Sequence, residues 1–313
     1  MGTLPDWATA LGPALFAARI RSTPADFDVT EVLDIEFSGD GEHDWLWIEK
    51  TGANTVWVAE RLAQHAGVAV RDIGYAGLKD RHAITRQWFS VRRPSADGTN
   101  WSAFAAEGVQ VVAEQRHSRK LRRGAHRGNA FRIALRADPG EVDGGAVEER
   151  LNALEDLGAP NYFGEQRFGR EGANIELGRA VVAGKRVSRN KRSIGLSALR
   201  SFEFNNELDA RIRAGTWNRL LPGDVANLDG TGSVFAVDEV TAELERRCAE
   251  MDIHPAGVLP GFKKIRVESS HRPLRMRVAD LRWEFGEGAL WLEFRLRRGS
   301  YATAVLREIA TVL

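Results

Sequence analysis

Gly74 to Ser90 reads GYAGLKDRHAITRQWFS. Ile73 to Gly77 is short, apolar and bounded by glycine, which predicts a strand running into a loop. Strand character resumes at Ile84 and continues to Val91, with Trp88, Phe89 and Val91 as large apolar positions. The loop between them carries a single aspartate, Asp80, flanked by Lys79 and Arg81. Loops at strand ends are where a fold commonly displays reactive groups. A neighbouring cation favours the ionised carboxylate that nucleophilic attack needs. In isolation the same three residues describe a loop aspartate in a surface ion pair.

Outward from this stretch the pattern is mixed. Phe27 to Leu33, Asp44 to Lys50, Gly108 to Ala113 and Ala130 to Leu135 read as strands. Asn54 or Thr55 caps a helix reaching Ala66, with Val56, Ala59, Leu62, Ala63 and Ala66 at helical spacing and Gly67 as its stop. Val147, Leu151, Leu154 and Leu157 mark a second helix, and Pro160 is read as its end. Beyond it, helices are expected at Asn174 to Ala183, Leu196 to Arg213 and Thr241 to Met251. Gly257 to Gly261 is read as loop. Strands return at Trp283 to Phe285 and Ala289 to Leu296, and Ala302 to Leu313 is read as a terminal helix. Strands interleaved with helices at this spacing give an α+β class. The expected partition is a first domain of 1–158, a second of 159–270, and a segment from 271 whose strands pair back with the first. A lone hairpin is too small to stand by itself.

The chain has 313 residues, 43% hydrophobic and 28% charged, enough for two cores and too apolar for disorder. No apolar run approaches the roughly 20 residues of a membrane span, and no secretory signal opens the chain. The one cysteine, Cys248, excludes an internal disulfide and a multi-cysteine zinc site. The seven histidines have no paired ligand spacing, so no metal is expected. No P-loop or dinucleotide fingerprint is present, so no phosphate-bearing cofactor is expected either. A cytoplasmic protein with no membrane association follows.

The formal net charge of +1 conceals segregation. Gln115 to Asn129 holds six basic residues and no acid, and Gly178 to Ser201 holds seven and no acid. Such runs serve either as solvated loops or as surfaces for a polyanion, and two of them favour nucleic acid.

AGLKDRHAITRQWFS closely resembles the signature of the TruD family of tRNA pseudouridine synthases, AGxKDxxAxTxQW. PADFDVTE resembles that family's PxDFxVxE, RKLRRGAHRGNAF its RKLRxGxxxGNxF, and PNYFGEQRFG its PNYFGxQRFG. RNKR with LSALRS, then Leu259-Pro-Gly261, and finally Gly299-Ser-Tyr-Ala-Thr303 with Arg307-Glu308, follow in the family's order. The resemblance spans nearly the whole chain.

The resemblance implies a pseudouridine synthase catalytic domain with a mixed, largely antiparallel sheet, plus an inserted α/β domain. It implies isomerisation of uridine to pseudouridine in tRNA, at position 13 in the D-stem region, by base flipping and without cofactor or metal. Asp80 occupies the nucleophile's place; whether it attacks the ribose or the base stays open. Phe27 matches an aromatic expected against the target base. Asn129 matches an amide able to read a uracil edge, or is a turn residue. Tyr301 stands where the family usually has phenylalanine. Phe131 is either a base contact or core. Arg21 is a candidate cation for Asp80, as are Lys79 and Arg81, and Gln87 is a supporting hydrogen-bonding group or a polar strand position. The two basic runs are expected to hold tRNA, the inserted domain and the catalytic domain forming the walls of a cleft. A monomer is expected. The region between Gly261 and Trp283 is shorter than in many relatives, which bears on substrate range. The competing readings are a non-catalytic tRNA-binding or folding protein, and a synthase with another RNA target.

Overall fold

In strand Phe27–Val32 the side chains alternate, with Phe27, Val29 and Glu31 buried and Asp28, Thr30 and Val32 half-buried. That period of two assigns one face of the sheet to the core. The computed structural model describes residues 4–93, 98–138, 140, 142–228, 232–286 and 288–313. It forms two compact units. One contains 17–142, 279–299 and 312–313; the other contains 1–16, 143–278 and 300–311.

The first unit is built on an eight-stranded sheet. In spatial order its strands are Ala279–Gly286, Ala289–Arg297, Gly128–Leu135, Phe27–Val32, Ile84–Arg92, His43–Thr51 and Val109–His117. Every neighbouring pair is antiparallel except Phe27–Val32 against Ile84–Arg92, where Val29 lies opposite Thr85. The eighth strand, Ile73–Tyr75, pairs antiparallel with Phe89 to Val91. Because His43–Thr51 takes the whole of one edge of Ile84–Arg92, the other edge is shared. Phe27–Val32 lies beside its first three residues, and Ile73–Tyr75 beside Phe89 to Val91. The late strands close the far side, with Phe294 opposite Phe131 and Leu292 opposite Ile133. Through Ala289–Arg297 they pair with Gly128–Leu135.

One helix, Thr55–Ala66, covers the core next to this change of neighbours. Its Asn54 cap accepts a hydrogen bond from the Trp57 amide at 2.8 Å, and Gly67 ends it in the left-handed region at φ 65°. Val58, Ala59, Leu62 and Ala63 pack on Leu46, Ile48, Phe89 and Val91. Val56, read as part of the apolar stripe, is 44% exposed, and Val58 takes the buried position instead.

The second unit contains helices Gly144–Leu157, Ala173–Val182, Arg189–Arg213 and Ala242–Met251, and the short helix Ala302–Leu306. Its four-stranded antiparallel sheet runs Val234–Ala236, Val225–Leu228, Ile253–Leu259, Ser270–Pro273. Helix Gly144–Leu157 groups here, and its Arg150 donates to the carbonyls of Pro13 and Glu308 of the same unit. The sequence partition has bounds at 158/159 and 270/271; the corresponding unit bounds fall at 142/143 and 278/279, and residues 1–16 and 300–311, read as part of the first domain, group with the second unit.

Several element readings change. Gly158, at φ 73°, ends the second helix, and Pro160 already pairs with Arg275 in a short strand. The long helix begins at Arg189, seven residues before Leu196, because Ser188 accepts from the Lys191 amide. Gly257 is in a strand, where any side chain would press on Phe204 and Leu274. The terminal helix stops at Leu306, and Ala310–Val312 is extended.

Gly128 has no room for a Cβ, which would collide with the Leu296 carbonyl oxygen of the adjacent strand. Gly128→Ala is expected to push these strands apart and lower stability by about 1–3 kcal/mol. Thermal denaturation followed by circular dichroism checks it, and an unchanged midpoint would contradict this packing.

Candidate active site

Asp80 lies in the loop between Ile73–Tyr75 and Ile84–Arg92. Its side chain is 29% exposed, and Oδ2 is 2.9 Å from Arg21 Nη2. Its Oδ1 accepts from the His82 amide at 3.0 Å, a local turn that aims the carboxylate. Arg21 has φ 57°, an unusual backbone for a non-glycine residue. Its guanidinium also lies 4.1 Å from the centre of the Phe27 ring, a cation–π contact that fixes its approach. Arg21 Nε is buried with no hydrogen-bond partner. Of the three candidate cations, Arg21 is the one that meets the Asp80 carboxylate. Arg81 instead donates to the Gly52 carbonyl at 2.9 Å.

Lys79 turns inward. Its Nζ is 3.1 Å from Glu31 Oε2, with both side chains almost fully buried. The second oxygen of Glu31 accepts the Trp88 amide at 3.1 Å. That amide sits where Ile84–Arg92 changes neighbours, between the reach of Phe27–Val32 and that of Ile73–Tyr75. Glu31 therefore satisfies a main-chain donor left over by the topology. Gln87 is fully buried and belongs to the same support. Its Nε2 donates to Gly77 O at 3.0 Å, and its Oε1 accepts from Thr55 Oγ1 at 2.9 Å. Thr55 Oγ1 in turn accepts the Lys79 amide at 2.9 Å. The Asp80 loop is thus held at residues 77 and 79 by the sheet and the helix start.

Phe27, Asn129 and Phe131 share the buried face with Glu31 through the register Phe27 to Ile133, Val29 to Phe131 and Glu31 to Asn129. Phe27 is 4% exposed and meets Phe131 edge-on at 6.3 Å, and Phe131 stacks on Phe294 at 5.4 Å. Asn129 Oδ1 is buried without a hydrogen-bond partner, although the residue itself is half-exposed. Asn129 lies in strand Gly128–Leu135, so its alternative reading as a turn residue does not hold. Tyr301 belongs to the other compact unit, where its ring lies 6.0 Å from that of Phe163 in the NYFG segment. Gly164 lies against it, with space for only a tight Cβ between Thr303 and Tyr301.

Three contributors were not among the candidates named from the sequence: Glu31, although it is the last letter of the PxDFxVxE-like motif, Thr55 and Lys50. Lys50 is fully buried, and its Nζ donates to Ala53 O at 2.7 Å and Asp80 O at 2.8 Å. A signal for two of them was present in strand phase. Lys50 alternates in step with Leu46 and Ile48, and Glu31 with Phe27 and Val29. A charge on the apolar phase of a strand is the mark of a buried polar network. His126 also lies near the loop, within 3.2 Å of a Cβ built on Gly77. Burial, then the charges of Lys79 and Arg298, pushes it down to about 4, so it is neutral at pH 7. Cys248 is half-buried against the cluster of Leu220, Ala226, Val237 and Ile253, and burial raises its thiol. Among the described residues no group of histidine, cysteine and carboxylate side chains could hold a metal ion. No helix there is long and apolar enough to cross a membrane.

Removing one partner of a buried ion pair leaves a bare charge and costs about 3–5 kcal/mol. Lys79→Met is expected to lose stability on that scale. Lys79→Met with Glu31→Gln should recover part of it, since no carboxylate is stranded and Trp88 keeps an acceptor. Urea denaturation of both variants measures the difference, and equal losses would refute the pairing.

The family model of tRNA pseudouridine synthase D (TruD) matches residues 14–186 and 262–309. The tRNA pseudouridine synthase D of Methylococcus capsulatus is 42% identical over 334 residues, covering 97% of this chain and 94% of that one. That of Nitrosococcus oceani is 40% identical, covering 95% of this chain and 91% of its own. A solved structure from Methanosarcina mazei, assigned to TruD, superposes with a TM-score of 0.77 at 20% identity, covering 98% of this chain and 96% of that chain. The family model covers well over half of the chain and the two curated relatives are 40% or more identical over nearly all of it, so the chain belongs to the tRNA pseudouridine synthase D (TruD) family.

Proposed function

We propose that this chain isomerises uridine to pseudouridine in tRNA, with Asp80 as nucleophile and position 13 of the D-stem region as target. The reaction breaks the bond from ribose C1′ to N1, turns the uracil, and joins C1′ to C5. C5 gives up its proton and N1 ends with one, so atoms balance without a cofactor. The observation that carries the reading is the Asp80 carboxylate, partly exposed on a loop braced from beneath and paired with Arg21 at 2.9 Å. A binding protein gains nothing from a carboxylate placed to face RNA phosphates. Asn129 supports it with a buried, unpartnered amide oxygen suited to accept the N3–H of a flipped uracil. Extrusion of the base costs a few kcal/mol, offset by such bonds and by stacking.

Affinity comes from charge. Of the six cations from Arg116 to Arg127, only Arg127 is in an ion pair among the described residues, with Asp34 at 3.6 Å. In the second unit Arg192 donates to Ile265 O at 2.9 Å, which joins the turn carrying the exposed Lys263, Lys264 and Arg266 to the helix that starts with Arg189, Lys191 and Arg192. Two basic segments about seventy residues apart in sequence thus meet through this bond.

Asp80→Asn is expected to bind unmodified tRNA transcript as the wild type does and to lose pseudouridine formation by about 10⁴-fold. Carbodiimide-adduct stops locate the product; a variant that still reacts, or a wild type that binds without reacting, overturns the reading. Alanine at Lys185, Arg189 and Lys191 together should weaken binding and reduce the salt slope by about 2–3, at roughly 0.7–0.9 for each phosphate no longer neutralised.

A further inference from the structure

We propose that Lys50 is a positioning residue for Asp80: its buried ammonium, bonded to the Asp80 carbonyl, ties the loop to the sheet and supplies a positive charge on which the rate depends. This rests on the reading of Asp80 as nucleophile.

The side chain of Lys50 is fully buried, on the apolar phase of strand His43–Thr51. It bridges two loops at once. Ala53 O belongs to the turn that starts helix Thr55–Ala66, and Asp80 O belongs to the loop of the carboxylate. Among the described residues Lys50 forms no ion pair, whereas its neighbour Lys79 is neutralised by Glu31. An unpaired buried charge opposes folding, and a neutral donor could hold two carbonyls at lower cost. The presence of lysine here therefore points to use of the charge.

The charged groups facing it are Asp80 and Lys79; across the strand pairs stand the uncharged Thr85 and Val109. Beyond them, Arg21 meets the Asp80 carboxylate and Glu31 meets Lys79. Burial pushes Lys50 down to about 8; the Asp80 charge opposes this and the Lys79 charge adds to it. A neutral amine keeps two N–H groups, enough for both carbonyls. Deprotonation thus removes the charge and leaves the two bonds in place. The sign for stability is the reverse of that for activity. The folded value lies below that of unfolded lysine, so between about pH 8 and 10.5 the unfolded chain binds more protons. The contribution of this group to stability rises with pH over that range. A rate that falls while the fold does not weaken separates positioning by charge from a merely structural role.

The test is single-turnover pseudouridine formation on unmodified tRNA transcript from pH 6 to 9.5, with a thermal melt at each pH. It uses wild type, Lys50→Met, Lys50→Arg and Asp80→Asn. The wild-type rate should fall about tenfold per pH unit above 8, with no matching fall in melting temperature. Lys50→Met should be about 10²-fold slower, flat through pH 8, with unchanged tRNA affinity. Lys50→Arg should exceed Lys50→Met and keep its rate beyond pH 9, because arginine stays charged. A wild type with no loss up to pH 9, a Lys50→Met that keeps the same limb, or a Lys50→Arg whose rate still falls at pH 8 would overturn the proposal. If Lys50→Met does not fold, wild type against Lys50→Arg decides. An unreactive wild type or a reactive Asp80→Asn sinks the nucleophile reading itself; a normal pair with an indifferent Lys50 sinks only this one.

Discussion

The ion pair between Lys79 and Glu31 is the constraint on which the rest of the site depends. Strand Ile84–Arg92 must serve two neighbours along one edge, which strands the Trp88 amide between them. A buried main-chain donor needs a partner. Glu31 provides it, and the carboxylate so buried needs a cation. Lys79 meets that need from the residue immediately before Asp80. A defect of sheet topology is thereby converted into an anchor for the candidate nucleophile's loop.

Around this anchor the two faces of the sheet do different work. On the outer face Arg86 grips Asp28 through both carboxylate oxygens and Glu49 through Nε, all at 2.8–2.9 Å and partly open to water. Such exposed pairs contribute little each. On the inner face Glu31, Lys50, Lys79, Thr55 and Gln87 are buried and joined to one another or to main chain. In low dielectric those bonds are strong and a missing partner is costly, so the set holds one arrangement.

Much of the fold was legible in the sequence because it depends on local chemistry. Asn54 and Gly67 bound their helix as cap and stop, and the strands from Phe27 to Leu135 follow from alternation and β-branched or aromatic content. What stayed hidden depended on distant partners. Gly257 reads as loop until Phe204 and Leu274 are seen to demand a residue without a side chain. The terminal helix is cut short where Ala310–Val312 turns extended, a choice that periodicity over a dozen residues does not record. At the candidate site, motif and position named Asp80 and Arg21, whose side chains do meet, whereas Lys50 was not named, and Glu31, though a letter of a quoted motif, shows its buried place only when strand phase is combined with burial. Phe131 proves to be packed between Phe27 and Phe294, and Gln87 to brace Gly77 and Thr55.

The shared edge of Ile84–Arg92 also fixes how this region can change over evolution. Thr85 and Gln87 face inward, while Arg86 and Trp88 face the other side, because the strand has a period of two. Adding or deleting one residue in the strand between Ile84 and Arg86, with the pairing of Ile84 kept, would drive the Arg86 guanidinium into the core and turn Gln87 out to water. Within the strand, length is therefore held by the same contacts that hold each side chain on its face. Chain length here is as much a part of the chemistry as the identity of the carboxylate.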